Sequence, residues 1–548
     1  MSVVFLTPPL AKPSEPGLSA AAASRCLRSL GIDAHWIDAS IGWHDHALSL
    51  EVLGENLRAM PEDRAVAWHQ AARSVASKDP PLRRSATYAD RRVYTSAVRE
   101  LEQALRLAAA PFPEVRLGVA MIGFDGRRVE SRATLSWFAA RPGPFDAYVL
   151  EELIPALDRF GATHVAISLT FQQQAPAAFR IARLLAEHRP AWTRWVGGPL
   201  VACWMSAGFD LSGDPFSLFH EVVAGDDDDL EAMATRLGAS GSKISHGAPL
   251  APDLLVAPWS SYMTPTPIVP AAVGRGCYWR RCSFCPDHLH RRHQPCELTA
   301  LGDWLREVAN RFPHGAMVHW TDSAVDPRAL EHIADVIRRD RLPIRWHGFV
   351  RVEDAFADPA LATHLFKGGC AMLQLGVETG SPRLLDQTGK GTDPDRIRRV
   401  LESTSSAGIL NHVYLLFGLP TETDDDRELT LAMIERSHGE IHAINPALLN
   451  LPLGSPMHRM PGRYGITDLF PFGSDADLSL YEDFRCGLSH PRSEARRWMD
   501  RRFFKHEAVR AVQNHLRTPF KANHLCFIES ALTPRERGAL RTPGGSPA

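Results

Sequence analysis

Twice along this chain, apolar runs of strand length alternate with stretches of helical period, and that repetition limits the possible fold more than any other feature. The first series opens with "SVVFLTPPL", an apolar run ended by a double proline, and continues with "AHWIDA", "THVAISLT", "RWVGGP" and "EVVAGDDD". Between them stand "AAAASRCLRSLG", "YVLEELIPALDRFG" and "QAPAAFRIARLLAEHRP", whose apolar residues recur at helical spacing. Strands that are apolar throughout, separated by such helices, predict a doubly wound parallel sheet. The second series is longer: "TPIVPAAVGRG", "AMVHWTD", "PIRWHGFVR", "AMLQLGVETG", "NHVYLLFGLP" and "INPALLNLP", with helices such as "ALEHIADVIRRD" and "PDRIRRVLESTSSAG" between them. Six strand–helix units predict a partial barrel whose site lies at the carboxyl ends of the strands, by the logic of eight-unit barrels.

With 548 residues the chain exceeds one ordinary core. The expected class is α/β, with three regions. Residues 1–245 form the doubly wound sheet, with a mainly helical insertion at about 45–150, where strand-like alternation is missing. Residues 255–470 form the partial barrel. Residues 471–548 form a small, mainly helical region, in which "EARRWMDRRFFKHEAVRAVQNHLR" reads as a packing helix with a charged outer face and "RTPGGSPA" as a flexible tail. A net charge of −2 gives no reason to expect a nucleic-acid or anionic-membrane partner. No apolar run is long enough to span a bilayer, and "MSVVFLTPPL" does not read as a secretion signal. A cytoplasmic, metal-binding protein is the expectation, since one compact cysteine cluster does not make a disulfide framework.

Ligands of doubly wound sheets sit where small residues at strand ends let backbone approach. Here those ends carry Thr7-Pro8, Ser168-Leu169-Thr170, Gly197-Gly198 and Gly225, which together read as a ligand crevice. The G-x-G-x-x-G fingerprint of dinucleotide sites is absent. Asp226 to Asp229 reads as a solvated loop and helix start, and His44 and His46 read as surface residues. The cluster itself is "GRGCYWRRCSFCPD", with Cys277-x4-Cys282-x2-Cys285. Three thiolates suit a zinc site completed by His288, His290, His293 or Cys296, or an iron–sulfur site with one iron left open. No second C-x-x-C exists to build a zinc ribbon, and Tyr278, Trp279 and Phe284 offer the aromatic shell that keeps water from a redox centre.

Residues 1 to about 240 resemble the cobalamin-binding, Rossmann-like domain of cobalamin-dependent radical S-adenosylmethionine (SAM) enzymes, on the order "TPP", "SLT", "VGGP", "VVAG". Residues from about 265 to 460 resemble the radical SAM domain, on the cluster, "WTDSAVDP", "QLGVETGS" with "GKG", and "LLFGLPTETDDD". Two departures stand out: the first cysteine gap is four residues where the family has three, and D-x-H-x-x-G, which supplies a histidine to cobalt, is missing.

The resemblance implies three cofactors: a [4Fe–4S] cluster, SAM and cobalamin. Cys277, Cys282 and Cys285 would hold three irons and leave the fourth for SAM. Asp322 and Ser323 would help hold the methionine amino group, Glu378 and Ser381 would contact the ribose or the methionine carboxylate, and Gly418 and Pro420 would form the turn beside the adenine. The plain alternative for Glu378 and Asp322 is a buried carboxylate at a helix start. Thr7, Pro8, Ser168, Thr170, Gly197, Gly198 and Gly225 would line the cobalamin crevice. The implied reaction starts from a 5′-deoxyadenosyl radical and leads to methylation of a carbon centre in a natural product, peptide or small metabolite. The alternative is non-methylating cyclisation, ring rearrangement or epimerisation; an alternative of another class is a zinc-binding or partner-binding protein without catalysis. Expected partners are a small-molecule or peptide substrate and an external electron donor such as a flavodoxin or ferredoxin.

Overall fold

The computed structural model describes residues 2–59, 62–77, 79–239, 244, 247–286, 293–513 and 519–531. It divides into two compact units: Met1–Ser245 with Leu250–Pro270 and Gly473–Ser479, and His246–Pro249 with Ala271–Phe472 and Leu480–Ala548. Among the described residues no helix is long and apolar enough to cross a membrane.

The first unit is built on five parallel strands in the order Asp33–Asp38, Ser2–Thr7, Ala162–Ser168, Thr193–Gly197, Glu221–Val222. Numbered along the chain that order is 2-1-3-4-5, so the sheet reverses direction between its first and third strands. Such a reversal opens a crevice at the carboxyl ends of the two strands that flank it, here Thr7 and Ser168. Val3, Phe5, Trp36 and Trp195 of the strands pack with Leu27, Leu230 and Met233 of the helices Leu18–Ser29 and Asp227–Arg236. Asp226 caps the latter helix by accepting from the Asp229 N–H at 3.0 Å, so the acidic run is a helix start as expected.

The insertion differs from expectation in one respect. Helices Leu50–Arg58, Glu62–Val75 and Arg91–Ala108 are followed by an antiparallel hairpin of Val115–Gly118 and Met121–Phe124. The strand run "VRLGVAMIGF" was hidden because its two arms are four residues each, too short for alternation to register. His44 also corrects a reading: it is buried, its Nδ1 sits 2.8 Å from the Ser40 carbonyl, and burial pushes its pKa down to about 4. His46 is half-buried and bonds Glu152 at 2.7 Å.

A second, six-stranded sheet has its strands in chain order: Ile268–Ala271, Ala316–Trp320, Ile344–Arg351, Cys370–Glu378, Leu410–Phe417, Ala443–Leu448. The pairings from Ala316–Trp320 onward are parallel. Helices Pro327–Asp340 and Pro394–Ser406 bury Leu330, Ile333 and Ile337, and Ile397, Val400 and Leu401. Open sheets of this order, with helices in the crossovers, are partial barrels. The chain after the last strand adds a three-stranded antiparallel sheet and the helix Pro491–Arg501. Trp498 and Phe503 pack 5.8 and 5.1 Å from Phe417, so the basic stretch is a packing element.

Candidate active site

The cysteines leave the sheet together on one loop. Gly274–Arg275 pairs with Gln294–Pro295 and closes the base of the excursion. Asp322, just past the second strand, grips that base: its carboxylate accepts from the Val273 and Gly274 N–H groups at 3.0 and 2.9 Å. Within the Cys277–Cys282 gap the backbone turns through a left-handed residue, Arg280 at φ 53°.

The loop is then clamped to a turn after the fourth strand. Ser283 donates its N–H to the Thr388 carbonyl at 2.8 Å and its hydroxyl to Gln387 at 3.1 Å. Trp279 Nε1 donates to the Gly389 carbonyl at 3.0 Å. Gly389 and Gly391 both have positive φ, and a Cβ on them would lie 2.5 Å from the Arg281 carbonyl and 2.3 Å from the Trp279 ring. The motif "GKG" therefore has glycines because the cysteine loop presses against backbone there. Tyr278 donates to Glu353 at 2.8 Å, and Phe284 packs on a core containing Leu384, Leu451, Met457 and Phe484. The three aromatics thus anchor the loop.

Glu378 is the last residue of its strand and has φ 66°. It is not a helix-start carboxylate; Ser381 caps the next helix, and its hydroxyl also donates to Asp426 at 2.5 Å. Lys390 Nζ donates to Glu378 Oε1 at 2.6 Å, in the space that Gly376 leaves by lacking a side chain. Burial alone would lower the Lys390 pKa, but Glu378 and the Cys282 thiol more than offset it and keep the ammonium charged. Burial pushes the Cys282 thiol up, while Lys390 and Arg351 pull against that. Gly418, at φ 75°, donates to Glu422, whose carboxylate also takes Arg427 at 3.0 Å, so that turn is braced from within. Pro420 follows in the same turn and Ser323 is exposed beside Asp322.

The donor set suits an iron–sulfur cube. Three thiols on one loop are the donor type that such a cluster takes. Among the described residues no three His, Cys, Asp or Glu side chains converge on a single-ion position. His288 and His290 lie outside the described residues. His293 Nδ1 sits 3.3 Å from the Gly276 carbonyl, and burial pushes the Cys296 thiol up to about 11, the state of an inert thiol.

Asp322 makes a pH prediction. Burial pushes its carboxyl up to about 7 from an ordinary 3.8, outweighing the two N–H donors. The folded form then holds a proton that the unfolded form releases near pH 4. The group's stabilisation is complete below its unfolded pKa and is lost as pH rises through its folded pKa. At about 1.4 kcal/mol per pKa unit, the loss is about 4 kcal/mol. Asp322→Asn is expected to flatten this slope in urea-unfolding midpoints taken between about pH 4 and about pH 8.

In the first unit, the predicted crevice residues do meet. Ser19, missed in the sequence, bonds both Ser168 Oγ and Thr170 Oγ1 at 2.9 Å. Trp36 donates to Thr7 Oγ1 at 3.1 Å, and Gln174 ties the Pro8 carbonyl to the Thr170 N–H. A Cβ on Gly198 would lie 2.7 Å from Ser168 Oγ, one on Gly197 2.9 Å from Val223, and one on Gly225 3.3 Å from the Gly198 nitrogen. These hydroxyls and closely approaching backbone segments lie where the strand order reverses, the place where ligands of doubly wound sheets bind.

Also missed was a polar layer in the barrel sheet. Tyr414 donates to Gln374 Oε1 at 2.9 Å, Gln374 Nε2 lies 3.1 Å from His347 Nδ1, and His319 stacks on His347 at 4.5 Å. Spacing of two along adjacent strands was the available signal.

The Radical SAM superfamily model matches residues 272–434. The cobalamin-dependent SAM radical enzyme OxsB, with aqua-cobalamin and SAM bound, superposes at TM-score 0.55 and 13% identity, covering 98% of this chain and 71% of that one. The radical SAM methyltransferase TsrM from Kitasatospora setae, with cobalamin and a [4Fe–4S] cluster bound, gives 0.50 and 14%, covering 97% and 91%. An uncharacterized methyltransferase of Pyrococcus horikoshii, PH0819, is 27% identical over 100 residues; the match spans 18% of this chain and about a fifth, 21%, of that relative. The glycine-clamped cysteine loop falls inside the matched segment, and the two-unit fold extends beyond it over nearly the whole chain. Residues 272–434 thus match the Radical SAM superfamily, and nearly the whole chain has the fold of the cobalamin-dependent radical SAM proteins.

Proposed function

We propose that this enzyme is a cobalamin-dependent radical SAM methyltransferase acting on a carbon centre of a natural product, peptide or small metabolite. The observation that carries the reading is the cysteine loop, held by Asp322 at its base and by the Gln387–Gly391 turn at its tip, at the carboxyl end of the six-stranded sheet. Cys277, Cys282 and Cys285 would hold the [4Fe–4S] cluster. When bound, such a cluster supplies one low-potential electron to cleave the sulfonium of SAM, and cobalamin supplies a methyl carrier.

The chain's own residues do the rest. Asp322 keeps the loop base in register with the second strand, and Ser381 and Glu422 set the two turns next to which SAM would lie. Glu378, with Ser323 and the Gly418–Pro420 backbone, would contact SAM. Trp279 and Phe284 keep water from the loop. Thr7, Pro8, Ser168, Thr170, Gly197, Gly198 and Gly225 would line the cobalamin crevice. The substrate is a small molecule or peptide, a flavodoxin or ferredoxin is the electron donor, and the enzyme works in the cytoplasm.

Protein isolated without oxygen is expected to carry about four iron atoms and one cobalamin per chain. Incubated with SAM, dithionite and its substrate, it is expected to form S-adenosylhomocysteine alongside 5′-deoxyadenosine. The second product alone would favour rearrangement or ring chemistry; a colourless protein with zinc and no iron would end the enzyme reading at this site.

A further inference from the structure

Two buried cations flank the cysteine loop, and neighbouring residues hold both in place. Lys390 is 8% exposed and Arg351 5%. Lys390 Nζ bonds Glu378 at 2.6 Å and stands 5.9 Å from the Phe284 ring centre. The Arg351 guanidinium lies 3.5 Å over the Trp279 ring, donates from Nε to Glu353 at 2.9 Å and from Nη2 to the Lys390 carbonyl at 2.8 Å. Its Nη1 is buried with no hydrogen-bond partner. Trp279 and Phe284 lie between Cys277 and Cys285, so Arg351 rests on the loop that carries the thiols and Lys390 stands beside it. Each cation is paired with one carboxylate, and the buried Arg351 Nη1 is a donor that has no acceptor among the described residues.

We propose that Lys390 and Arg351 are positioning residues that raise the reduction potential of the [4Fe–4S] cluster held by Cys277, Cys282 and Cys285. This rests on the reading that the loop holds such a cluster. One electron passes from an external low-potential reductant to the cluster, which becomes more negative by one charge; no bond or proton moves. Fixed positive charge in a dry setting stabilises the reduced state more than the oxidised one.

The test is an EPR-monitored redox titration of the full chain with its cluster, using dithionite and no SAM. Lys390→Met is expected to shift the ratio of reduced to oxidised cluster at fixed potential at least tenfold toward oxidised, about 59 mV for one electron. Lys390→Arg is expected to restore the wild-type ratio. The double variant Glu378→Gln/Lys390→Met leaves no stranded carboxylate and is expected to shift in the same direction by less. It decides alone should Lys390→Met fail to take up iron.

A Lys390→Met cluster that titrates like wild type overturns the proposal. So does a double variant indistinguishable from wild type, which would assign the effect to unpaired Glu378. A shift seen only when SAM is added also overturns it, and would assign the cations to the SAM carboxylate. Wild-type protein that binds no cluster sinks the functional reading and this one together, whereas the other outcomes leave the functional reading standing.

Discussion

Cys282→Ser is expected to strip the iron–sulfur absorption from protein isolated without oxygen and to abolish SAM cleavage, with Cys277→Ser and Cys285→Ser behaving alike. The loss should exceed about a hundredfold in rate, since even residues that only support metal ligands are worth roughly 10–100-fold. In the proposed site each cysteine would answer for its own iron. Cys296→Ser and His293→Ala are expected to keep the cluster. Cys296 is held as a neutral thiol by burial, and His293 faces the Gly276 carbonyl. A closed zinc site completed by His293 or Cys296 would lose metal from one of these two variants as well, with no visible colour in any. Iron and zinc content per chain, read beside the visible spectrum, separates the outcomes.

Gly391→Ala should be strongly damaging to the cysteine loop. The added methyl would sit 2.3 Å from the Trp279 ring, at a φ of 71° that disfavours any side chain. Trp279 cannot yield cheaply. It is bonded to the Gly389 carbonyl and covered by Arg351 on its face, so moving it breaks a hydrogen bond and a cation–π contact together. Left-handed backbone and a displaced aromatic place the cost at about 2–4 kcal/mol. Urea unfolding followed by tryptophan fluorescence measures it. Iron retention should fall as well, because the loop loses the surface that orders it. Gly439→Ala, where an added methyl meets nothing, is the control.

Much of the architecture was legible because it is local. Apolar runs such as "AMLQLGVETG" and "NHVYLLFGLP" are buried on both faces, so their composition alone marks them as interior parallel strands. The hairpin Val115–Phe124 was not legible, since four-residue arms give too few alternations. The burial of His44 was hidden for a different reason: a helix stretch with histidines looks polar until another element covers it. At the candidate site the cysteines stood out through their spacing, but their support did not. Lys390 was visible only as the middle letter of "GKG", and Arg351 as the end of a strand.

What the sequence determined by itself is the succession of strands and helices along the chain and the loop that carries three thiols, which follow from patterns within a few residues. What only the tertiary structure decided is the clamp: Trp279 reaching Gly389 across 110 residues and Arg351 reaching Lys390 across 39. Periodicity says which face of an element is buried. It does not say which buried polar group meets which, because that depends on how separate strands and turns pack once the chain has closed.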